Sequence, residues 1–112
     1  MEAKIIEKEL IAKQNDVFRS AFQQSARGKI LLSRIVSLHP ERELIIEKVR
    51  NFNDFDPEID DPYLERDFGA FDHSGKTYFW KISYVDLDFE WGVDPTQETC
   101  ARILTVMESS EY

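Results

Sequence analysis

Two runs of alternating residues, 66–72 (RDFGAFD) and 76–84 (KTYFWKISY), stand on either side of the turn segment Asp72-His73-Ser74-Gly75. A side-chain period of two on both sides of a turn that ends in glycine predicts an antiparallel hairpin, because glycine accepts the positive φ that a tight connection between twisted strands requires. In the second run Tyr78, Trp80, Ile82 and Tyr84 share one face, whereas Val85, Leu87, Phe89 and Trp91 fall in the opposite phase. Since one residue of slip turns every side chain to the other face, the strand must bulge or end near residues 83–85. Asp86, Asp88 and Glu90 then alternate with the apolar residues and point to solvent.

The hairpin's aromatic face needs a cover, and helical spacing elsewhere supplies one. From about Lys4 to Gln24, Ile6, Leu10, Val17 and Ala21, flanked by Ile11, Phe18 and Phe22, recur as on one face of an amphipathic helix, which Gly28 and the residues before it end. Lys29-Ile30-Leu31-Leu32-Ser33 reads as a short buried strand. Proline in the first turn of His39-Pro40-Glu41-Arg42-Glu43 starts a second helix with Ile45, Val49 and Phe52 inward. Residues 53–66, with two prolines and an Asp-Asp pair, form a loop long enough to be functional or mobile. Asp94-Pro95-Thr96-Gln97 has the form of a capping box, and Cys100, Ile103, Leu104 and Met107 follow as the inward stripe of a last helix.

The expected fold is α+β in the order α-β-α-β-β-α, a small, mainly antiparallel sheet with a central hairpin packed by three helices. Its expected core holds Phe18, Ile45, Val49, Trp80, Ile82, Leu104 and Met107. A length of 112 residues suits a single domain, 1–112. One cysteine, Cys100, allows no internal disulfide, and neither an apolar leader nor a run of membrane-spanning length occurs, so a cytoplasmic protein is expected.

Charge is distributed unevenly. Residues 54–94 carry twelve carboxylates against three basic side chains, a net of −9, while residues 1–53 sum to +3 and the whole chain to −8. Such a balance argues against anionic membranes and against direct binding of nucleic acid, which depends on basic residues displacing counterions. It favours a protein partner with a basic surface, because carboxylates spaced a few ångströms apart imitate a phosphate backbone. The candidate contacts are Asp56, Asp60, Asp61, Asp86, Asp88 and Glu90. A merely solubilising acidic face is the blander account of the same residues.

The alternative is a divalent-metal site on Asp86, Asp88 and Glu90, spaced about 7 Å apart on an extended strand and joined by acids of the loop, with or without hydrolytic activity. No calcium-loop register, phosphate loop or cofactor motif accompanies it, so no cofactor is expected. His39 reads as a helix-cap residue, His73 as a turn residue and Cys100 as a core thiol, which leaves no nucleophile beside a base. Enzymatic activity is therefore not the expected role. Asp67-Phe68-Gly69 is best read as a packed strand with a small residue facing an aromatic one.

The blocks Asp67-Phe68-Gly69-Ala70-Phe71, Phe79-Trp80-Lys81-Ile82-Ser83-Tyr84-Val85-Asp86 and Arg102-Ile103-Leu104-Thr105-Val106-Met107, with the terminal Glu111-Tyr112, resemble a small proteobacterial family catalogued as a domain of unknown function, number thirty-seven sixty-eight. Asn15-Asp16-Val17-Phe18-Arg19 extends the likeness upstream, to cover about residues 14–112. This chain has Ser83 and Val85 where members usually have Asp and Tyr. The resemblance implies single-domain proteins found near mobile elements, a setting that suits counter-defence inhibitors of the anti-CRISPR or anti-restriction type.

Overall fold

The structure, a computed structural model, describes residues 2–55 and 65–112. Along the chain lie α1 (Glu2–Ala21), β1 (Gly28–Leu32), α2 (Arg34–Ser37), α3 (Arg42–Arg50), β2 (Phe68–His73), β3 (Lys76–Val85), β4 (Ala101–Glu108) and a closing 3-10 turn (Ser109–Glu111). The strands form one four-stranded sheet in the order β1-β4-β3-β2. β2, β3 and β4 pair antiparallel, and β1 joins parallel to β4. The class is α+β with a mainly antiparallel sheet, as the sequence predicts.

The hairpin forms in the expected place. His73 pairs with Lys76 across a two-residue loop in which Ser74 and Gly75 have φ of +51° and +80°. Positive φ at both central residues matches the strands' right-handed twist. β3 ends at Val85, which is where the phase of the apolar residues changes. Gly69 lies directly opposite Trp80, so the small residue does face the aromatic one.

Residues 101–108 are a strand, not the expected helix. Ile103, Leu104 and Met107 satisfy helical spacing, but Ile103, Thr105 and Val106 are β-branched and favour the extended chain. β4 fills the middle of the sheet, bonded to β1 on one side and β3 on the other. The change of period redistributes the side chains: Leu104 and Val106 face the helices and are fully buried, while Met107 points to the opposite face and is half-buried. Asp94 caps a turn rather than a helix, accepting from the Thr96 backbone N–H (2.9 Å) and hydroxyl (2.6 Å).

The helices cover one face of the sheet. Ile45, Val49 and Phe52 from α3 and its end meet Tyr78, Trp80, Ile82, Leu104 and Val106, with Val36 of α2 among them, and Phe18 and Phe22 packing at the edge. On the other face Phe79 packs against Phe68 and Tyr112, at ring separations of 5.5 and 5.6 Å.

α1 presents a face different from the expected one. Leu10 and Val17 are 55% and 67% exposed, whereas Ile11, Ala12, Asn15 and Arg19 are buried. Arg19 sets this rotation. Its Nε donates to the Val49 carbonyl (3.0 Å) and its Nη2 to the Phe52 carbonyl (2.8 Å), closing the carbonyl end of α3. Its guanidinium also lies 4.8 Å from the Trp80 ring centroid and pairs with Asp16 at 3.0 Å. A polar side chain is stable in a core when every donor has a partner, and apart from Asp16 on α1 itself these partners belong to elements far along the chain.

Candidate functional site

Of the six acidic residues singled out in the sequence, Asp56, Asp60 and Asp61 lie outside the described residues. Asp86, Asp88 and Glu90 belong to the turn that follows β3. The turn is closed by the Val85–Gly92 bridge and by bonds from the Asp86 N–H to the Trp91 carbonyl (2.8 Å) and from the Phe89 N–H to the Asp86 carbonyl (3.0 Å). Phe89 takes a φ of +61°, which reverses the chain.

The expected row of three carboxylates on one strand face therefore does not form, because a period-two row requires an extended backbone. Asp86 is half-buried and braces the turn, its Oδ1 accepting from the Glu90 N–H at 3.0 Å. Asp88 and Glu90 are exposed. The apolar residues expected to face inward divide: Phe89 packs under the ammonium of Lys29, 4.4 Å from its ring centroid, while Leu87 is 43% and Trp91 72% exposed. The result is a braced projection that offers an indole and a leucine beside two free-facing carboxylates.

Sequence reasoning missed two polar clusters, each built on a buried side chain. Asn15 is fully buried; its side-chain amide donates to the Glu65 carbonyl and the Tyr84 hydroxyl, both at 2.9 Å, and its Oδ1 accepts from Arg102 Nε at 2.7 Å. The Tyr84 hydroxyl in turn donates to the Glu65 carboxylate at 2.9 Å. Burial, with this carboxylate reinforcing it, raises the Tyr84 phenol far above its ordinary value, so it stays a neutral donor. The second cluster is at the hairpin turn. His73 is buried, with Nε2 2.9 Å from Glu41 Oε1. That hydrogen bond holds the Glu41 carboxyl below its ordinary value. His39 stands 5.7 Å from His73, ring to ring, and its Nδ1 accepts from the Glu41 N–H at 2.9 Å. His39 is therefore not the helix cap the sequence suggests, since the N-cap of α3 is Glu41 and His39 accepts that residue's N–H from two positions before it, and His73 is a buried residue at the end of β2 rather than a turn residue.

Burial pushes the Cys100 thiol above its ordinary value, which keeps it protonated and a poor nucleophile at neutral pH. Among the described residues no three His, Cys, Asp or Glu side chains are gathered closely enough to hold a metal ion. No helix among them is long and apolar enough to cross a membrane.

No curated protein and no solved structure matches the chain. A family model does, over residues 31–111, from β1 through the 3-10 turn. That span holds the hairpin, the projecting turn and β4, and leaves α1 outside. The chain belongs to the family described as "Protein of unknown function (DUF3768)".

Proposed function

We propose that this is a non-enzymatic interaction protein of the cytoplasm that docks an acidic surface onto the basic surface of a nucleic-acid-binding protein. In its finer form the reading makes it a nucleic-acid mimic carried by mobile elements, an inhibitor of the anti-CRISPR or anti-restriction kind. Trp91 is the observation that carries the proposal. An indole 72% exposed on a turn braced by its own hydrogen bonds, with Asp88 and Glu90 beside it, has the composition of an interface anchor: aromatic area in the centre and charge around it. The net of −9 over residues 54–94 supplies the long-range attraction to a basic groove. Asp56, Asp60 and Asp61 extend the acidic contact in sequence, and Asp86 serves by shaping the turn.

Affinity capture with the tagged protein from a proteobacterial host tests this. Expected is a nucleic-acid-binding protein retained at low salt and released at moderate salt, since exposed charge pairs are screened over roughly 10 Å at 0.1 M. Asp88→Lys with Glu90→Lys should abolish capture, and Trp91→Ala should weaken it roughly tenfold or more. Retention by both variants, or the absence of any nucleic-acid-binding partner, rejects the reading. Titration calorimetry with Mg²⁺, Mn²⁺ and Ca²⁺ addresses the alternative. Binding tighter than about millimolar that vanishes in Asp86→Asn with Asp88→Asn replaces mimicry with a metal site.

A further inference from the structure

Two hollows lie side by side along α1, one of about 720 Å³ against residues 23–27 and one of about 540 Å³ against residues 95–100. They share Leu10, Gln14, Arg27 and Arg102, so they form one open trough. Its apolar wall is the stripe of α1 that the fold leaves uncovered: Leu10, Val17 and Ala21, with Phe18 below. Arg27 and Arg102 stand at the junction. Both are held by neutral acceptors. Arg102 donates from Nε to Asn15 and from Nη2 to the Gln14 side-chain oxygen (2.9 Å), with its guanidinium 5.5 Å from the Tyr84 ring centroid; Arg27 donates from Nη1 to the Glu98 carbonyl at 2.6 Å. Among the described residues neither guanidinium has a carboxylate partner, although Glu7 and Glu98 also line the smaller hollow.

Two guanidiniums oriented by neutral groups offer a forked donor geometry that matches a carboxylate. In a chain of net charge −8 they mark, with Lys13 on the same wall, a place where an acid is attracted. The trough is too open to enclose a small molecule, whose surface a binding pocket normally buries by more than about 70%. Its wall from Leu10 to Ala21 runs ~16 Å at about 1.5 Å per residue, three turns of a helix. We infer that this trough receives an amphipathic helix of a partner protein, its apolar ridge on Leu10, Val17, Phe18 and Ala21 and its Asp or Glu side chains on Arg27 and Arg102. This is helix-in-groove recognition with the charge sign reversed relative to the projecting turn. It does not depend on the role of Trp91, Asp88 or Glu90.

The test is a displayed library of amphipathic helical peptides about four turns long, with polar positions randomised over Asp, Glu, Lys, Arg and Gln, selected against the intact protein. Enrichment of Asp or Glu beside the apolar ridge is expected. The enriched peptides, once synthesised, should lose roughly tenfold in affinity against Arg27→Gln and against Val17→Gln, and be unaffected by Asp88→Lys. Both substituted residues are exposed, so the variants keep the fold, which circular dichroism verifies. Failure to enrich any peptide, enrichment of basic peptides, or equal binding by Arg27→Gln overturns the inference. So does concentration-dependent self-association in sedimentation that Val17→Gln abolishes, which gives the trough to a second copy of the chain.

Discussion

At the scale of single residues, two side chains do structural work that their types do not advertise. Arg19 joins α1 to the end of α3 and stacks on Trp80, so Arg19→Ala removes charged donors from two carbonyls and uncovers an indole. A loss of about 3 kcal/mol is expected in urea denaturation. At Gly69 a methyl group would fall onto the Trp80 indole and within 2.8 Å of the Phe52 ring. Gly69→Ala should therefore cost about 2 kcal/mol through overpacking, while alanine's intrinsic preference over glycine offers little in return. The pairing of Gly69 with an aromatic residue was readable in the sequence, because a period of two fixes which residues can be opposite. The roles of Asn15 and Arg19 were not. Their partners Val49, Phe52, Tyr84 and Arg102 lie at least thirty positions away, and without them a polar residue on a helix is read as facing solvent.

At the scale of elements, the hairpin and α3 follow from local pattern alone. Their turn glycine and period agree with the packing they meet, although Pro40 stands just before the N-cap Glu41 rather than in the first turn of α3. β4 and α1 do not, and for one physical reason: amphipathic spacing says that a face exists but not which neighbour will claim it. Ile103, Leu104 and Met107 fit a helix until a sheet needs a middle strand. Leu10, Val17 and Ala21 fit an inward stripe until Arg19 turns α1 by its own bonds. Stability measurements separate the two faces. Val106→Ala, in the fully buried centre of β4, should cost roughly 2–3 kcal/mol. Val17→Ala, 67% exposed, should stay within about 0.5 kcal/mol. The projecting turn shows the same limit at the candidate site. Its acidic and apolar residues were legible, but its closed shape depends on a positive φ at Phe89, which no alternation predicts.

At the scale of the whole molecule, acid should unfold the protein through carboxylates that the fold holds ionised. Glu41 is held by His73, and Asp94 by the hydroxyl and N–H of Thr96. At Glu111, burial acts to raise the value, but Ser33 and the N–H groups of Glu108 and Ile35 outweigh it and leave it lowered. All three titrate below their unfolded values, so their stabilisation is complete above about pH 4–5, the ordinary carboxyl range, and is lost as pH falls through the depressed values. His73→Gln should raise the Glu41 titration midpoint in a carboxyl-detected NMR titration and leave Asp94 where it is. A further consequence follows from the place of β4 between β1 and β3. β1 pairs Gly28 with Arg102 and Leu32 with Val106, so the first strand has no neighbour until the last one exists. Non-local pairing of this kind slows folding, because the loop must close before any bond rewards it. On the ribosome, helices and hairpin can form early, but the sheet can be completed only after residues 101–108 have left the exit tunnel, so native assembly waits for β4.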